Sequence, residues 1–260
     1  MPLVDASGGT VEYTQNGGGP DLLLLHSLLT DLSVFEQVLP RLTRSRRVTC
    51  VNLPGFGASS ALELNGVADH ADHVARVMDA IRLPATSDVF GNGFGAFVAL
   101  ELALRHGGRF HRLLAADTLA GFAEPAKAPF RAMADRVRKG GMQAVLDKAI
   151  ARMFPAEFQA ARPEVIAARK TALGAADAAC FARACLALAA LDLRHRLPKI
   201  RNPTLVLCGE LDQTTPPALA AELAQAVPGA VFRPIAGCGH CPMLERPQAL
   251  VELMEEFLST

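Results

Sequence analysis

The sequence has no excess of charge of either sign, because 26 Lys and Arg residues balance 26 Asp and Glu residues. A basic patch is the usual footprint of a nucleic-acid-binding protein, so this balance argues against that class. No apolar run approaches the ~18 residues needed to span a bilayer, and the N-terminus lacks the basic and apolar regions of a signal peptide. We therefore expect a cytoplasmic protein with no nucleic-acid or membrane partner. No signal for an oligomeric state is found.

The six cysteines do not form the spacing pattern of a disulfide framework. Cys238 and Cys241 flank a Gly-His pair, which suggests a metal or redox site. However, no second Cys/His pair stands at zinc-finger spacing. We therefore expect six small, buried, apolar residues, and neither a metal nor a cofactor.

Apolar runs and helical spacings alternate along most of the chain. Strands buried in a parallel sheet give continuous apolar runs, which we predict at residues 22–25, 47–52, 112–117, 204–208 and 230–235. Amphipathic helical spacing predicts helices at residues 35–42, 67–81, 217–226 and 247–258. Gly-rich turns around residues 8–19 predict an edge hairpin.

Strand signals disappear over residues 122–197, where helical patterns are interrupted by Pro and Gly. This change predicts a helical cap of about four helices inserted into one α/β core, formed by residues 1–121 and 198–260. Alternating strands and helices imply a mainly parallel, doubly wound sheet, here of about eight strands. Ligands bind such sheets beyond the carboxyl ends of the strands, so the candidate functional residues are in the turns that follow strands.

The first such turn carries Gly91, Gly93 and Gly95 between a predicted strand and a helical pattern. Strand, sharp turn and helix is the context of the nucleophile elbow, G-x-S-x-G, whose glycines let strand and helix approach closely. The position of the serine nucleophile is occupied by Gly93. A phosphate-binding loop is the alternative, but the third glycine comes one residue too early for the dinucleotide fingerprint G-x-G-x-x-G.

Two further turns carry an acid and a histidine. Asp212 follows a buried strand and is suited to orient an imidazole by accepting its Nδ1 proton, with Glu210 as the rival acid. His240 lies in a Gly-rich loop after the last strand, a position suited to a mobile general base. The other histidines are expected to be solvated or at the surface, and they include His70, His73, His106, His111 and His195.

Nucleophile position, acid and histidine follow one another in the chain order of the α/β-hydrolases. Over nearly its whole length, cap included, the sequence resembles this family. Within the family it resembles the 3-oxoadipate enol-lactonase group in four segments, residues 26–31 (HSLLTD), 52–59 (NLPGFGAS), 135–142 and 187–193. Asn92 and Phe94 also resemble the meta-cleavage-product hydrolases, whose His-Gly-rich oxyanion loop is not matched by residues 26–28.

The resemblance implies hydrolysis of a small carboxylic ester or lactone. It also implies an oxyanion hole made of the backbone N–H groups of Leu28 and Phe94. Substrate contacts are expected from four further residues, His26, Ser27, Asn92 and Phe122.

Gly93 removes the acyl-enzyme route at the elbow. Loss of the nucleophile from a serine triad costs on the order of 10⁶ in kcat, and Ser27, Ser87 and Asn92 are expected to lack the elbow geometry needed to replace it. Gly93 is either an introduced Ser→Gly change or a natural residue. A natural Gly93 leaves two alternatives, a non-covalent hydrolase or lyase that uses His240 and Asp212, and a ligand-binding protein without catalysis.

Overall fold

The computed structural model describes residues 1–259, and its centre is one eight-stranded sheet in the order β1-β2-β4-β3-β5-β6-β7-β8. Strands β1 and β2 form an antiparallel hairpin at one edge, and β2 pairs with β4 in antiparallel orientation. All the other neighbouring strands in the sheet are parallel. The mainly parallel α/β fold that the sequence predicts is confirmed. The strands are β1 (Leu3–Asp5), β2 (Thr10–Asn16), β3 (Asp21–Leu25), β4 (Arg47–Val51), β5 (Asp88–Asn92), β6 (Leu113–Ala116), β7 (Thr204–Gly209) and β8 (Val231–Ile235).

Helices cover both faces of the sheet. Those outside the insertion are α1 (Leu39–Leu42), α2 (Val67–Ala80), α3 (Phe94–His106), α9 (Pro217–Ala226), α10 (Pro242–Glu245) and α11 (Pro247–Leu258). Successive side chains of a strand point to opposite faces. Leu22 and Leu24 of β3 therefore pack with α11, whereas Leu23 and Leu25 pack with α2 and α3. Full burial of each such leucine contributes about 1.5–3 kcal/mol.

The helix predicted over residues 35–42 is shorter than expected. A 3₁₀ turn covers Leu32–Phe35, and α1 begins only at Leu39. Pro40 explains the difference, because proline has no N–H and is tolerated in the first turn of a helix but not in its interior.

Five α-helices, rather than about four, lie between β6 and β7. They are α4 (Glu124–Gly140), α5 (Leu146–Met153), α6 (Ala156–Ala161), α7 (Pro163–Gly174) and α8 (Ala178–Ala190). At the base of this helical insertion Gly121 and Asp192 form an isolated β-bridge. Arg169 of α7 donates to Asp31 (3.1 Å) and Ser33 (2.7 Å), which ties the insertion to the turn after β3.

No single helix within residues 1–259 is both long and apolar enough to cross a membrane. Helices α7 and α8 meet that test of length and composition only as a pair, and they are bent by 100° at their junction.

Burial confirms the prediction for the cysteines and corrects that for two histidines. All six cysteines are free and buried. His70 and His73 are buried on α2, with relative exposures of 4% and 1%, so the expectation that they are solvated is wrong. Burial lowers the pKa of each ring to about 4. The neighbouring His73 lowers the pKa of His70 further, and Arg76 lowers that of His73 further. Both histidines are therefore neutral, apolar-facing core residues on the inner face of an amphipathic helix.

Candidate active site

The glycines of the elbow allow three backbone segments to approach one another. A Cβ added to Gly91 would overlap with the backbone of Gly95, and one added to Gly95 would overlap with the carbonyl group of Leu25. Strand β5, the start of α3 and the end of β3 are therefore in direct contact. Gly93, at the apex, has φ 52° and ψ −117°, a conformation that costs a residue with a side chain about 1–3 kcal/mol.

His240 and Asp212 form a buried hydrogen-bonded pair. Nδ1 of His240 donates to Asp212 Oδ2 over 2.8 Å. The same carboxylate accepts from the Thr214 N–H (2.8 Å), the Thr215 N–H (3.1 Å) and the Thr215 hydroxyl (2.5 Å). Because Asp212 is held by these donors and His240 by Asp212, the imidazole presents Nε2 toward Gly93. A Cβ at Gly93 would lie 3.0 Å from this Nε2.

The environment shifts both groups of this pair. Burial raises the pKa of Asp212, but the His240 charge and the hydrogen bonds from His240 and Thr215 outweigh burial, and the pKa is lowered overall. Burial lowers the pKa of His240, whereas Asp212 raises it more, with smaller contributions from Asp117 and Glu245, to about 9. His240 is therefore a stronger base than a free imidazole. Glu210, the rival acid, is exposed and accepts from the Gly237 N–H over 3.0 Å, away from the imidazole.

Asp117 is a second buried carboxylate that sequence reasoning missed. It follows β6 directly, the same kind of position as Asp212 after β7, so its place after a strand was the available signal. It accepts hydrogen bonds from the Gly209 N–H (2.9 Å) and Asn92 Nδ2 (2.7 Å). Burial, and then the charge of Asp212, raise its pKa well above the usual value.

Asp117, Asp212 and His240 are close enough together to be compared with a metal site. Side-chain ligand atoms of Asp117, Asp212 and His240 lie within 4.8 Å of one another. However, Nδ1 of His240 and Oδ2 of Asp212 already bond to each other, and the raised pKa of Asp117 favours its neutral form. The chemistry of these donors fits a hydrogen-bonded acid–base cluster better than a set of free ligands.

The elbow, His240 and the turn after β3 line one small cavity between the sheet and the helical insertion. Leu28 and Phe94, two residues whose N–H groups lack acceptors among residues 1–259, line this cavity. Phe94 is the first residue of α3, where an N–H has no intrahelical acceptor, and the Leu28 N–H meets no backbone acceptor in the described residues. The lining otherwise is mostly apolar and includes the residues Ser27, Leu28, Leu29, Phe94, Phe97, Phe122, Phe130, Met133 and Leu188.

Two of the residues predicted to contact substrate lie outside this lining. His26 is fully buried, its Nδ1 donates to the Ser27 carbonyl (2.7 Å) and its Nε2 accepts from the Leu53 N–H (3.0 Å). Asn92 donates to Asp117 (2.7 Å) and to the His240 carbonyl (3.3 Å). We therefore correct their roles, because both side chains hold loops of the site in place and neither faces the cavity.

Arg152 of α5 is a cavity residue that the sequence did not single out. Its guanidinium lies 5.5 Å from the centre of the Phe130 ring and borders the space above the elbow. Among residues 1–259 no carboxylate forms an ion pair with it. Burial lowers the pKa of Arg152, yet a guanidinium stays charged at neutral pH. It lies on α5, the second of the five insertion helices. Arginine and alanine are common throughout these helices, so no sequence pattern distinguishes Arg152.

The chain is similar to bacterial esterases and lactonases over almost its full length. It is 29% identical to a pimeloyl-[acyl-carrier protein] methyl ester esterase of Aeromonas hydrophila, over 96% of this chain and 99% of that one. It is 28% identical to 3-oxoadipate enol-lactonase 2 of Acinetobacter baylyi, over 92% of this chain and 88% of that one. It is also 30% identical to polyketide synthase ThaQ of Burkholderia thailandensis, over 98% of this chain but 12% of that much longer protein.

The fold agrees with these sequence relationships. The crystal structure of the enol-lactonase from Burkholderia xenovorans LB400 superposes with a TM-score of 0.93 and 29% identity, covering 100% of both chains. The resemblance to the enol-lactonase group that the sequence indicates is thereby confirmed. Residues 22–253 match the Alpha/beta hydrolase family, and the chain belongs to that family.

Proposed function

We propose that this protein hydrolyses a small carboxylic ester or enol-lactone, with His240 and Asp212 as its base and orienting acid. One observation carries the proposal: Nε2 of His240 faces the apex of the elbow inside a cavity that is also lined by Leu28 and Phe94, two residues whose N–H groups lack acceptors in the described part of the chain. A base on one side of a bound carbonyl group and two donors on the other is the arrangement that acyl transfer requires.

In this proposal each group has a part in the reaction. The N–H groups of Leu28 and Phe94 stabilise the oxyanion that forms when the carbonyl carbon is attacked, and each such donor contributes on the order of 10²–10³ in rate. His240 removes a proton from the attacking oxygen and returns it to the leaving oxygen. Asp212 fixes the tautomer of His240 and stabilises its charged form. Gly93 supplies no side chain, so the attacking oxygen comes from elsewhere.

Arg152 supports a substrate that carries a negative charge near the scissile group. Its guanidinium lines the cavity, and no carboxylate among the described residues forms an ion pair with it. An Arg–carboxylate pair in a half-buried site is a strong, directional contact. The name of the 3-oxoadipate enol-lactonase relative refers to a lactone of a dicarboxylic acid, which retains one free carboxylate and agrees with this class.

We expect Arg152→Gln to raise KM for a carboxylate-bearing ester by about 10- to 100-fold, because a hydrogen bond to a charged group contributes about 1.5–3 kcal/mol. Steady-state kinetics on a charged ester and on a neutral ester of the same size measure this. Arg152→Lys is the matched variant and should keep part of the affinity. Equal losses for the two esters would show that Arg152 acts through packing on Phe130 instead.

We expect kcat/KM to rise with pH from about 6.5 to about 9, because only neutral His240 accepts a proton and its pKa is raised to about 9. Stability should change in the opposite direction. The charged His240–Asp212 pair stabilises the fold fully below the usual imidazole pKa, and this contribution is lost as pH rises through about 9. A pH–rate profile tests the predicted rise in kcat/KM, and thermal unfolding over the same pH range tests the predicted fall in stability. In Asp212→Asn the rise of kcat/KM should occur at lower pH. A rise at the same pH as in the parent protein would mean that a group other than His240 titrates.

The proposal is tested with purified protein on enol-lactones, p-nitrophenyl esters and meta-cleavage dienes. Hydrolysis of an ester or lactone that His240→Ala removes supports it. Turnover of the dienes alone favours carbon–carbon bond hydrolysis. Tight binding of an ester with no product between pH 6 and 10 favours a ligand-binding protein and overturns it.

A further inference from the structure

The Ser27 side chain enters the space that the missing side chain at position 93 would fill. A Cβ built on Gly93 would overlap with Ser27 Oγ, and the same Cβ would lie 3.0 Å from both Ser27 Cβ and His240 Nε2. The hydroxyl and the imidazole nitrogen therefore border one small volume at the apex of the elbow. Both residues line the cavity that opens to substrate.

The Ser27 backbone is held firmly while its hydroxyl is left free. The Ser27 carbonyl accepts from His26 Nδ1 (2.7 Å), the Thr30 hydroxyl (3.1 Å) and the Thr30 N–H (3.2 Å). In contrast, no described residue forms a hydrogen bond with Ser27 Oγ, although Ser27 is only 3% exposed. The Ser27 hydroxyl therefore lies on a fixed loop and borders the cavity without a hydrogen-bond partner within residues 1–259.

We propose that Ser27 supplies the attacking hydroxyl, in place of a serine at position 93. The inference rests on the proposed function, since it identifies the attacking oxygen at the same site. The sequence-based expectation that Ser27 lacks the geometry to replace the nucleophile considered only the elbow apex. The structure places the Ser27 hydroxyl at that apex from the neighbouring loop, where glycine leaves room for it.

The step balances as an ordinary acyl transfer. Ser27 Oγ forms a bond with the carbonyl carbon of the ester as its proton passes to His240 Nε2. The tetrahedral oxyanion collapses, the carbon–oxygen bond to the leaving group breaks, and the leaving oxygen takes the proton from His240. Water then attacks the acyl-Ser27 ester with His240 as base again, releasing the carboxylic acid and restoring the Ser27 hydroxyl.

The test combines covalent labelling with turnover. The full-length protein is treated with a fluorophosphonate, and the modified residue is located by mass spectrometry of peptides. We expect the label on Ser27, its loss in Ser27→Ala, and a fall in kcat on the order of 10⁶-fold in that variant. Ser87→Ala is the matched control, because Ser87 is also buried and its hydroxyl bonds the Pro84 carbonyl (2.7 Å) away from the cavity. It should keep both label and turnover.

Ser27→Cys provides a second readout that does not depend on loss of activity. The six native cysteines are buried, so an added thiol beside His240 should react with iodoacetamide faster than they do, and His240→Ala should slow that reaction. Hydrolysis that His240→Ala stops but Ser27→Ala leaves unchanged would overturn Ser27 and keep the proposed function, with water as the attacking group. A protein that neither takes the label nor hydrolyses any ester would overturn both.

Discussion

Gly93→Ser is expected to increase ester hydrolysis by up to the order of 10⁶-fold that a triad nucleophile contributes to kcat. It places a hydroxyl on the Cβ position that lies 3.0 Å from His240 Nε2, at the apex of the elbow and beside the N–H groups of Leu28 and Phe94. The same change should lower the free energy of unfolding by about 1–3 kcal/mol, because serine at φ 52° is strained. Its Cβ also forces Ser27 Oγ to move. Steady-state kinetics and denaturant unfolding of the two proteins measure these opposite effects.

Gly93→Ala separates the two effects. Alanine brings the same backbone strain and the same overlap with Ser27, but no hydroxyl, so this variant should lose stability to a similar extent and gain no activity. If Ser27 is the attacking residue, the displaced hydroxyl should leave Gly93→Ala slower than the parent. A folded Gly93→Ser protein that hydrolyses esters no faster than Gly93→Ala would show that the elbow apex does not face a bound carbonyl.

The fold could be predicted from the sequence because its main signals are local. Continuous runs such as residues 22–25 belong to strands buried on both faces, and the helix predicted at residues 247–258 begins and ends where α11 does. The proximity of Asp212 and His240 could be predicted for a similar reason. Each follows a strand, and the carboxyl ends of parallel strands meet at one edge of the sheet.

Other residues could not be placed from the sequence, because the direction of their side chains is set by contacts between segments that are distant in the chain. His26 and Asn92 lie in the right turns, but their side chains point into the loops rather than into the cavity. Ser27 and Arg152 approach the elbow from segments more than fifty residues away in the sequence. No local sequence pattern indicates that the Ser27 side chain occupies the space beside Gly93. None indicates which arginine of the helical insertion lines the cavity.

His240→Ala is expected to reduce kcat by on the order of 10²–10⁴-fold, the usual contribution of a general base. The loss should appear for every ester that the protein hydrolyses, whichever oxygen attacks, because His240 combines a raised pKa with an Nε2 atom that faces the elbow apex. Asp212 keeps its hydrogen bonds from Thr214 and Thr215, so the variant should remain folded. Activity assays beside circular dichroism and thermal unfolding check this.

Chemical rescue decides whether the loss comes from the missing base or from a disturbed structure. Removing the imidazole of His240 leaves a ring-sized space next to the Asp212 carboxylate, which retains its Thr donors and can orient a free imidazole through its N–H. Added imidazole should therefore restore part of the rate in His240→Ala, with saturation, and should do nothing for His195→Ala, whose exposed side chain lies outside the cavity. A folded His240→Ala protein with unchanged turnover would place the base elsewhere. A loss that imidazole does not restore would mean that His240 matters through the bond it makes to Asp212 and not through proton transfer.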